Sequence, residues 1–116
     1  MLSELQPQAV VRDGARVDLQ IRIDPALDVL PDHFPGYPML PGVVQLGWAV
    51  RAAQREYGVS GELARVSALK FMQPLRPGRQ LTLRLEKLGA QDVAFAYIAG
   101  ETVQSSGRLR FNASAA

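Results

Sequence analysis

Five of the eight prolines lie between Asp24 and Gly42, in a stretch that reads DPALDVLPDHFPGYPMLPG. Proline lacks a backbone N–H and fixes its φ angle, so this run can be neither a continuous helix nor a central strand. The prolines therefore predict a long, stiff loop. Loops of this length without secondary structure of their own are uncommon in compact domains and tend to carry function. Functional residues are accordingly expected in this segment.

The residues before the loop predict a β-hairpin. Arg16 to Ile23 alternate strictly between apolar and polar side chains, which is the pattern of a half-buried strand. Gln8 to Arg12 would form the partner strand, joined through a turn at Asp13-Gly14.

The residues after the loop predict one helix, with Pro41 as its first residue and Gly58 at its end. Proline is tolerated at the first helical position because its missing N–H would have no partner there. The first half of the helix, Val43 to Val50, is apolar nearly all round, which predicts burial on most sides, whereas the second half is amphipathic.

Strands dominate the rest of the chain, and a short Ala/Ser tail from Asn112 to Ala116 is expected to fray. The apparent strands are Ala64 to Met72, Gln80 to Leu88, Val93 to Ala99 and Thr102 to Phe111. One helix and an antiparallel sheet cannot be wound as alternating βαβ units. The predicted class is therefore α+β, with the sheet wrapped around or laid against the helix.

Length and composition exclude several classes of function. With 116 residues, 47% of them hydrophobic, the chain is predicted to form a single domain over residues 1–116, and a dimer is plausible for so small a core. A formal charge of +2, with scattered Lys and Arg, gives no reason to expect nucleic acid. The absence of cysteine and the single His33 exclude thiolate chemistry and a zinc cluster, so no metal or cofactor is predicted. Without a long apolar run, the prediction is a cytoplasmic protein with no membrane span.

His33 is the one side chain that is both basic and titratable near neutrality, so it is a candidate general base. A lone loop histidine is more often a surface residue. Eight residues later, however, Pro41-Gly42-Val43 would expose backbone N–H groups at the start of a buried helix. Such a terminus can stabilise a carbonyl oxygen on which negative charge develops. One loop would then supply both a base and an oxyanion site.

The segment His33-Phe34-Pro35-Gly36-Tyr37-Pro38-Met39-Leu40-Pro41-Gly42-Val43 resembles the His-Phe-Pro-Gly and Pro-Gly-Val region of 3-hydroxyacyl-acyl carrier protein dehydratases. Lys70 to Gly78 is similar to that family's later Phe-x-x-Pro-x-x-Pro-Gly turn. The strand–helix–strand order fits the family's hot-dog fold over almost the whole chain. Leu40 to Leu46, followed by Trp48-Ala49, further resembles the dehydratase-like proteins of aryl-polyene pigment pathways.

By this resemblance, His33 removes a proton from C2 of the acyl chain, and the backbone N–H groups of Gly42 and Val43 polarise the thioester carbonyl. The implied partners are an acyl carrier protein or a coenzyme A thioester, and a second hot-dog subunit in a homodimer or heterodimer. The implied substrate contacts are Phe34, Gly36, Tyr37 and Gly47.

The family pattern places a carboxylic acid where this chain has Gly47, to protonate the departing C3 hydroxyl. Glu56 is rotated by about 180° from that position on a helix, Gln45 by about 200°, and neither can replace the acid. Asp32, beside His33, is interpreted as an ordinary loop carboxylate.

Three hypotheses follow from the missing acid. The chain dehydrates with His33 alone and a water near Gly47, it is a weakly active binding or partner subunit, or it hydrolyses thioesters, for which no positive sign exists. Trp48, Phe71, Met39 and Tyr37 could line an acyl tunnel but are interpreted as plain core. The remaining candidates are cations that could meet a carrier protein but are typical of a solvated face: Arg51, Arg55 and Arg76.

Overall fold

Six antiparallel strands and one helix make up the part of the chain that the computed structural model describes, residues 7–23, 40–58, 61–76 and 78–112. The strands form one sheet in the order β1-β2-β4-β5-β6-β3, and helix α1 lies between β2 and β3 in the chain. This arrangement confirms the predicted α+β class. The bounds are β1 Ala9–Asp13, β2 Arg16–Arg22, α1 Gly42–Tyr57, β3 Leu63–Phe71, β4 Gln80–Lys87, β5 Asp92–Ala99 and β6 Thr102–Phe111.

The alternation that predicted β2 produces the centre of the core. Val17, Leu19 and Ile21 point to one face of the sheet, each paired in register with a leucine of β4. All six side chains are at most 3% exposed, and burying one such side chain stabilises the fold by about 1.5–3 kcal/mol. The apolar side of α1 covers this face, through Val44, Trp48, Ala49, Ala52 and Ala53.

The two ends of α1 were predicted with unequal accuracy. Gly58 is the C-cap, in the left-handed region at φ 62°, as expected from its sequence position. Pro41 was expected to be the first helical residue, and this is wrong by one position. Its ψ of 147° is extended, so Pro41 is the N-cap and the helix begins at Gly42.

Burial of the first half of α1 on most sides is also wrong for the isolated chain. Val43 is 76% exposed, and Leu46, Gly47 and Val50 are only partly buried. The reason is that the sheet packs against one side of the helix and leaves the opposite side uncovered. An apolar strip therefore faces outward.

Each of the six predicted strands agrees with the structure to within one residue at either end. Asn112 donates its backbone N–H to the carbonyl of Glu62 at 2.8 Å, so the expected fraying does not begin there. Residues 113–116 lie outside the described residues. The prediction of a single domain over residues 1–116 stays a prediction.

Residues 24–39, which make up most of the loop predicted between Asp24 and Gly42, also lie outside the described residues. The residues that flank them are held in place by backbone hydrogen bonds. The carbonyl of Ile23 accepts the N–H of Gly78 at 2.7 Å, and the N–H of Leu40 donates to the carbonyl of Leu75 at 2.7 Å.

Candidate active site at the start of the helix

The first turn of α1 carries backbone donors that the helix itself does not use. The N–H groups of Val44 and Gln45 both donate to the carbonyl of Pro41, at 3.0 and 3.1 Å. Those of Gly42 and Val43 have no acceptor within the helix, as in any first turn. No side chain among the described residues caps this end and the first turn contains no acidic residue, so this part of the chain does not neutralise the positive end of the helix dipole.

A groove opens beside these donors. Its volume is about 460 Å³, within the range of roughly 300–1,000 Å³ that is usual for small-molecule sites. One wall comes from the start of the helix, with Leu40, Pro41, Gly42 and Gln45, and the other from residues 71–74 at the end of β3. Its lining is mainly apolar, as an acyl chain would require.

Phe71 lies directly against the backbone of Gly42. A Cβ atom at position 42 would lie 2.8 Å from Cζ of Phe71, so only glycine allows this approach without movement of the ring. Phe71 is 50% exposed, which makes the interpretation of this residue as plain core wrong. For Trp48, which is 4% exposed within the core cluster, the same interpretation is confirmed. Met39 and Tyr37 lie outside the described residues.

A β-bulge in β3 brings Phe71 to this side of the sheet. Ser67 pairs with Arg108 on β6, but Lys70 pairs with Ser106, so β3 has one extra residue between these two pairs. Ala68, within this bulge, has a φ of 52°. Because side chains alternate along a strand, one extra residue exchanges the two faces beyond it. Without the bulge, Phe71 would point away from the helix.

A row of three side chains in register crosses β5, β6 and β3 beneath the first turn of α1. Tyr97 pairs with Ser105, and Ser105 pairs with Phe71. The Tyr97 hydroxyl donates to the backbone carbonyl of Gln45 at 2.6 Å, and the Ser105 hydroxyl donates to Oε1 of Gln45 at 2.7 Å. Burial raises the pKa of Tyr97, so its hydroxyl remains a donor across the neutral range.

Gln45 completes this arrangement and was missed in the sequence, where it was considered only as a proton donor. Its Nε2 donates to the carbonyl of Leu40 at 3.0 Å, and the residue is 4% exposed. One signal was present in the sequence: Gln45 is the only polar side chain between Val43 and Val50. A buried polar side chain in an apolar run indicates specific hydrogen-bond partners.

The predicted site residues fall into two groups. Gly42 and Val43 lie at the start of the helix, and Gly42 lines the groove. Gly47 lies one turn later on the side of Val43, and a Cβ atom there would have no neighbour within 4 Å. The others lie outside the described residues, so their roles stay predictions: His33, Phe34, Gly36 and Tyr37.

Glu56 does not supply the missing acid. Its carboxylate binds Arg12 of β1 at 2.7 Å, and its side chain is 6% exposed, near the opposite end of the helix. The described residues contain no cluster of His, Asp or Glu that could hold a metal ion. Nor does the described part of the chain include a helix of the length and apolar character needed to cross a membrane.

Two curated relatives are 3-hydroxyacyl acyl-carrier-protein dehydratases named FabZ. The protein of Ruminiclostridium cellulolyticum is 32% identical over 90 residues, which cover 68% of this chain and 63% of the relative. That of Chlamydia trachomatis serovar L2 is 34% identical over 93 residues, covering 68% and 60%. The chain thus spans less than two thirds of the length of these relatives.

Solved structures show the same architecture. The dehydratase heterocomplex ApeI:P from Xenorhabdus doucetiae superposes with a TM-score of 0.83 at 26% identity, covering 93% of this chain and 97% of that one. An uncharacterized protein from Erwinia carotovora subsp. atroseptica gives 0.76 at 32% identity, covering 97% of both. Zebra fish thioesterase superfamily member 2 gives 0.65 at 13% identity, covering 90% and 80%, a likeness of fold alone.

These likenesses agree with the predicted hot-dog fold and with the resemblance first noted around residues 33–43. Residues 9–108 match the family model for ApeI-like proteins, which is described as ApeI dehydratase. The match includes the whole of α1 and both walls of the groove. With a hot-dog sheet, one central helix and this match over most of its length, the chain belongs to the ApeI-like dehydratase family.

Proposed function

We propose that the chain converts 3-hydroxyacyl thioesters into trans-2-enoyl thioesters, with release of water. The observation that carries this proposal is the start of α1, where the N–H groups of Gly42 and Val43 lie beside an apolar groove and no described side chain caps them. In our proposal these two groups bind the thioester oxygen. His33, in the loop that leads to them, is the base.

The elimination needs both groups at once. His33 takes the proton from C2, and the electron pair of that bond forms the new C2–C3 double bond as the hydroxyl leaves C3. Negative charge grows on the thioester oxygen during this step, and preorganised N–H donors stabilise it. The apolar groove beside them would hold the acyl chain.

The departing hydroxyl must receive a proton, and Gly47 cannot give one. In our proposal the proton that His33 removes from C2 returns to the hydroxyl, which leaves as water. A carboxylate of a second hot-dog subunit is the alternative source, because Val43 and Gly47 lie on the uncovered side of the helix. The ApeI:P heterocomplex of Xenorhabdus doucetiae supports such a pairing.

The substrate is proposed to be bound to an acyl carrier protein, in line with the names of the FabZ relatives. A coenzyme A thioester presents the same reacting atoms to the groove. Comparing the two carriers at equal acyl chain length would show which one the protein prefers.

The first test is turnover of a carrier-bound 3-hydroxyacyl thioester by the purified protein, followed as loss of water by mass spectrometry. His33→Ala should lower the rate by about 10²–10⁴-fold, the usual contribution of a general base. Asp32→Asn is the matched control, since it removes a charge beside His33 and should leave the rate close to that of the wild type. Equal loss in both variants would contradict the role of His33.

The second test is to restore the acid. Gly47→Glu places a carboxylate where no atom lies within 4 Å of the new Cβ, so the fold should accept it. The rate should rise or stay unchanged. Gly47→Gln has the same size without the acid, and the difference between the two variants measures proton donation.

A weakly active partner subunit is the second candidate function, and Gly47 is the observation that favours it. In that case the wild type binds an acyl thioester without turnover that depends on His33. Turnover should then appear when a related subunit that carries the carboxylate is added. Release of free acid instead of enoyl thioester would indicate hydrolysis and contradict both candidates.

A further inference from the structure

We infer that Gln45 is a positioning residue, which orients the oxyanion donors by holding the two backbone carbonyls that precede them. This inference rests on the proposed function, because it assigns a task to the Gly42 and Val43 N–H groups. Gln45 does not touch the reacting atoms itself. It acts through Leu40 and Pro41.

Gln45 makes one hydrogen bond to each of two successive carbonyls. Its side-chain Nε2 donates to Leu40 at 3.0 Å, and its backbone N–H donates to Pro41 at 3.1 Å. The N–H of Leu40 is also held, by the carbonyl of Leu75 at 2.7 Å. The backbone that leads into the helix is therefore fixed on both sides of Leu40.

The geometry of proline carries this constraint to Gly42. Peptide groups are planar, and the proline ring fixes φ. Only one free torsion, ψ of Pro41, therefore separates the peptide plane that contains the Leu40 carbonyl from the peptide plane that contains the Gly42 N–H. That torsion is 147°, and the bond from the Gln45 N–H to the Pro41 carbonyl holds it there. When both carbonyls are fixed, the direction of the Gly42 N–H is fixed as well.

The amide of Gln45 is itself held from the sheet. The Ser105 hydroxyl donates to its Oε1 at 2.7 Å, and Ser105 is 0% exposed. An apolar side chain of the same size could fill this part of the core. A buried amide with a partner at each end instead sets a direction, since hydrogen bonds depend on angle and apolar contacts do not.

Three variants separate positioning from plain stability. Gln45→Met keeps the size of the side chain and loses both of its hydrogen bonds, and kcat should fall by about 10–100-fold, as for a small displacement of catalytic groups. Ser105→Ala leaves the bond to Leu40 but frees the other end of the amide, and should give a smaller loss. Tyr57→Phe is the matched control, because it removes a hydrogen bond of the same helix at the end away from the groove, from the Tyr57 hydroxyl to the carbonyl of Ala15.

The expected order of kcat is wild type equal to Tyr57→Phe, then Ser105→Ala, then Gln45→Met, with KM changed less than kcat. Thermal unfolding should not follow this order, because each of the three variants loses a hydrogen bond that stabilises the fold. If kcat tracks the melting temperature across the set, or if Gln45→Met retains the wild-type kcat, the inference is wrong. Ser105→Ala keeps the test decisive if Gln45→Met does not fold.

An infrared measurement tests the same inference without turnover. A trans-2-butenoyl pantetheine thioester, labelled with ¹³C at its carbonyl, should show a lower carbonyl stretching frequency when it binds the wild type. Gln45→Met should lose part of that shift, and Tyr57→Phe should keep it. No shift in the wild type would contradict the proposed oxyanion site. A full shift that persists in Gln45→Met would overturn the positioning role alone.

Discussion

The two ends of α1 differ in how they are capped. At the C-terminal end, Gly58 closes the helix in the left-handed conformation and Arg55 in the last turn complements the dipole. The Tyr57 hydroxyl donates to the carbonyl of Ala15 at 2.7 Å. The N-terminal end has no side-chain cap among the described residues and no acidic residue in its first turn, and it opens on a groove.

The difference indicates which end serves stability and which serves binding. At the C-terminal end, the Gly58 cap and the hydrogen bond of Tyr57 stabilise the helix. The N-terminal end is held from beneath by Gln45 and the row of Tyr97, Ser105 and Phe71, and no described side chain caps the N–H groups of the first turn. Substitutions at the two ends should therefore affect different measurements.

The largest effect is expected for Gly42→Ala. The new methyl group would meet the Phe71 ring at 2.8 Å and displace it from the groove, so kcat/KM should fall by about 10²-fold, as for a catalytic group moved by about 1 Å. The melting temperature should change little, because Phe71 is half exposed and can move. Steady-state kinetics on Gly42→Ala, and on the same variant with Phe71→Leu, tests this. The double variant should recover part of the activity, and full activity in Gly42→Ala would contradict the comparison.

The second effect is the pH dependence of stability due to Tyr97, whose hydroxyl binds the N-terminal half of α1. Burial raises the pKa of Tyr97 above its ordinary value of 10.0, so the folded state keeps this proton more tightly than the unfolded chain. The stabilisation is therefore complete below about pH 10 and is lost as the pH rises further, by up to about 1.4 kcal/mol per pH unit. Urea unfolding from pH 8 to 11 should show a fall that Tyr97→Phe removes in large part.

Tyr57, at the other end of the helix, provides the control for that measurement. Partial burial, and then the nearby Glu56, raise the pKa of Tyr57 as well. Tyr57→Phe should remove a smaller part of the alkaline loss, since this residue is less buried than Tyr97. An equal change in both variants would show that the two ends do not differ in this respect.

The third effect is a loss of stability without loss of activity. Gly58→Ala places a side chain at a φ of 62°, where an L-residue is disfavoured by about 1–2 kcal/mol. Denaturant unfolding should show a decrease of that order. kcat/KM should match the wild type, because Gly58 lies at the end away from the groove, and a parallel loss of activity would argue against separate roles for the ends.

The smallest effect is expected at the bulge that orients Phe71. Ala68 has a φ of 52°, so Ala68→Gly relieves strain and should change stability by less than about 1 kcal/mol, with activity retained. Ala68→Val, which is β-branched, should destabilise the bulge and lower activity through Phe71. Comparing kcat/KM of these two variants tests whether the bulge places Phe71 in the groove. Equal values would contradict that role.

Much of the fold could be predicted because its signals are local. Strict alternation between Arg16 and Ile23 indicated β2, and Gly58 indicated the helix end, since both patterns depend on neighbouring residues only. The candidate donors at Gly42 and Val43 followed from the same reasoning. The start of the helix was misplaced by one residue, because proline at position 41 satisfies either role and only ψ distinguishes them.

The amino-acid sequence by itself determined the strands and the single helix, since side-chain period and φ preference act over a few residues, and its motifs indicated the family. Only the tertiary structure decided which way Phe71 faces, what Gln45 binds and which side of α1 stays uncovered. The reason is that the residues in contact are far apart in the sequence. Ser105 is 60 residues from Gln45, and one extra residue in β3 exchanges the faces of the strand, so these contacts exist only once the sheet has formed.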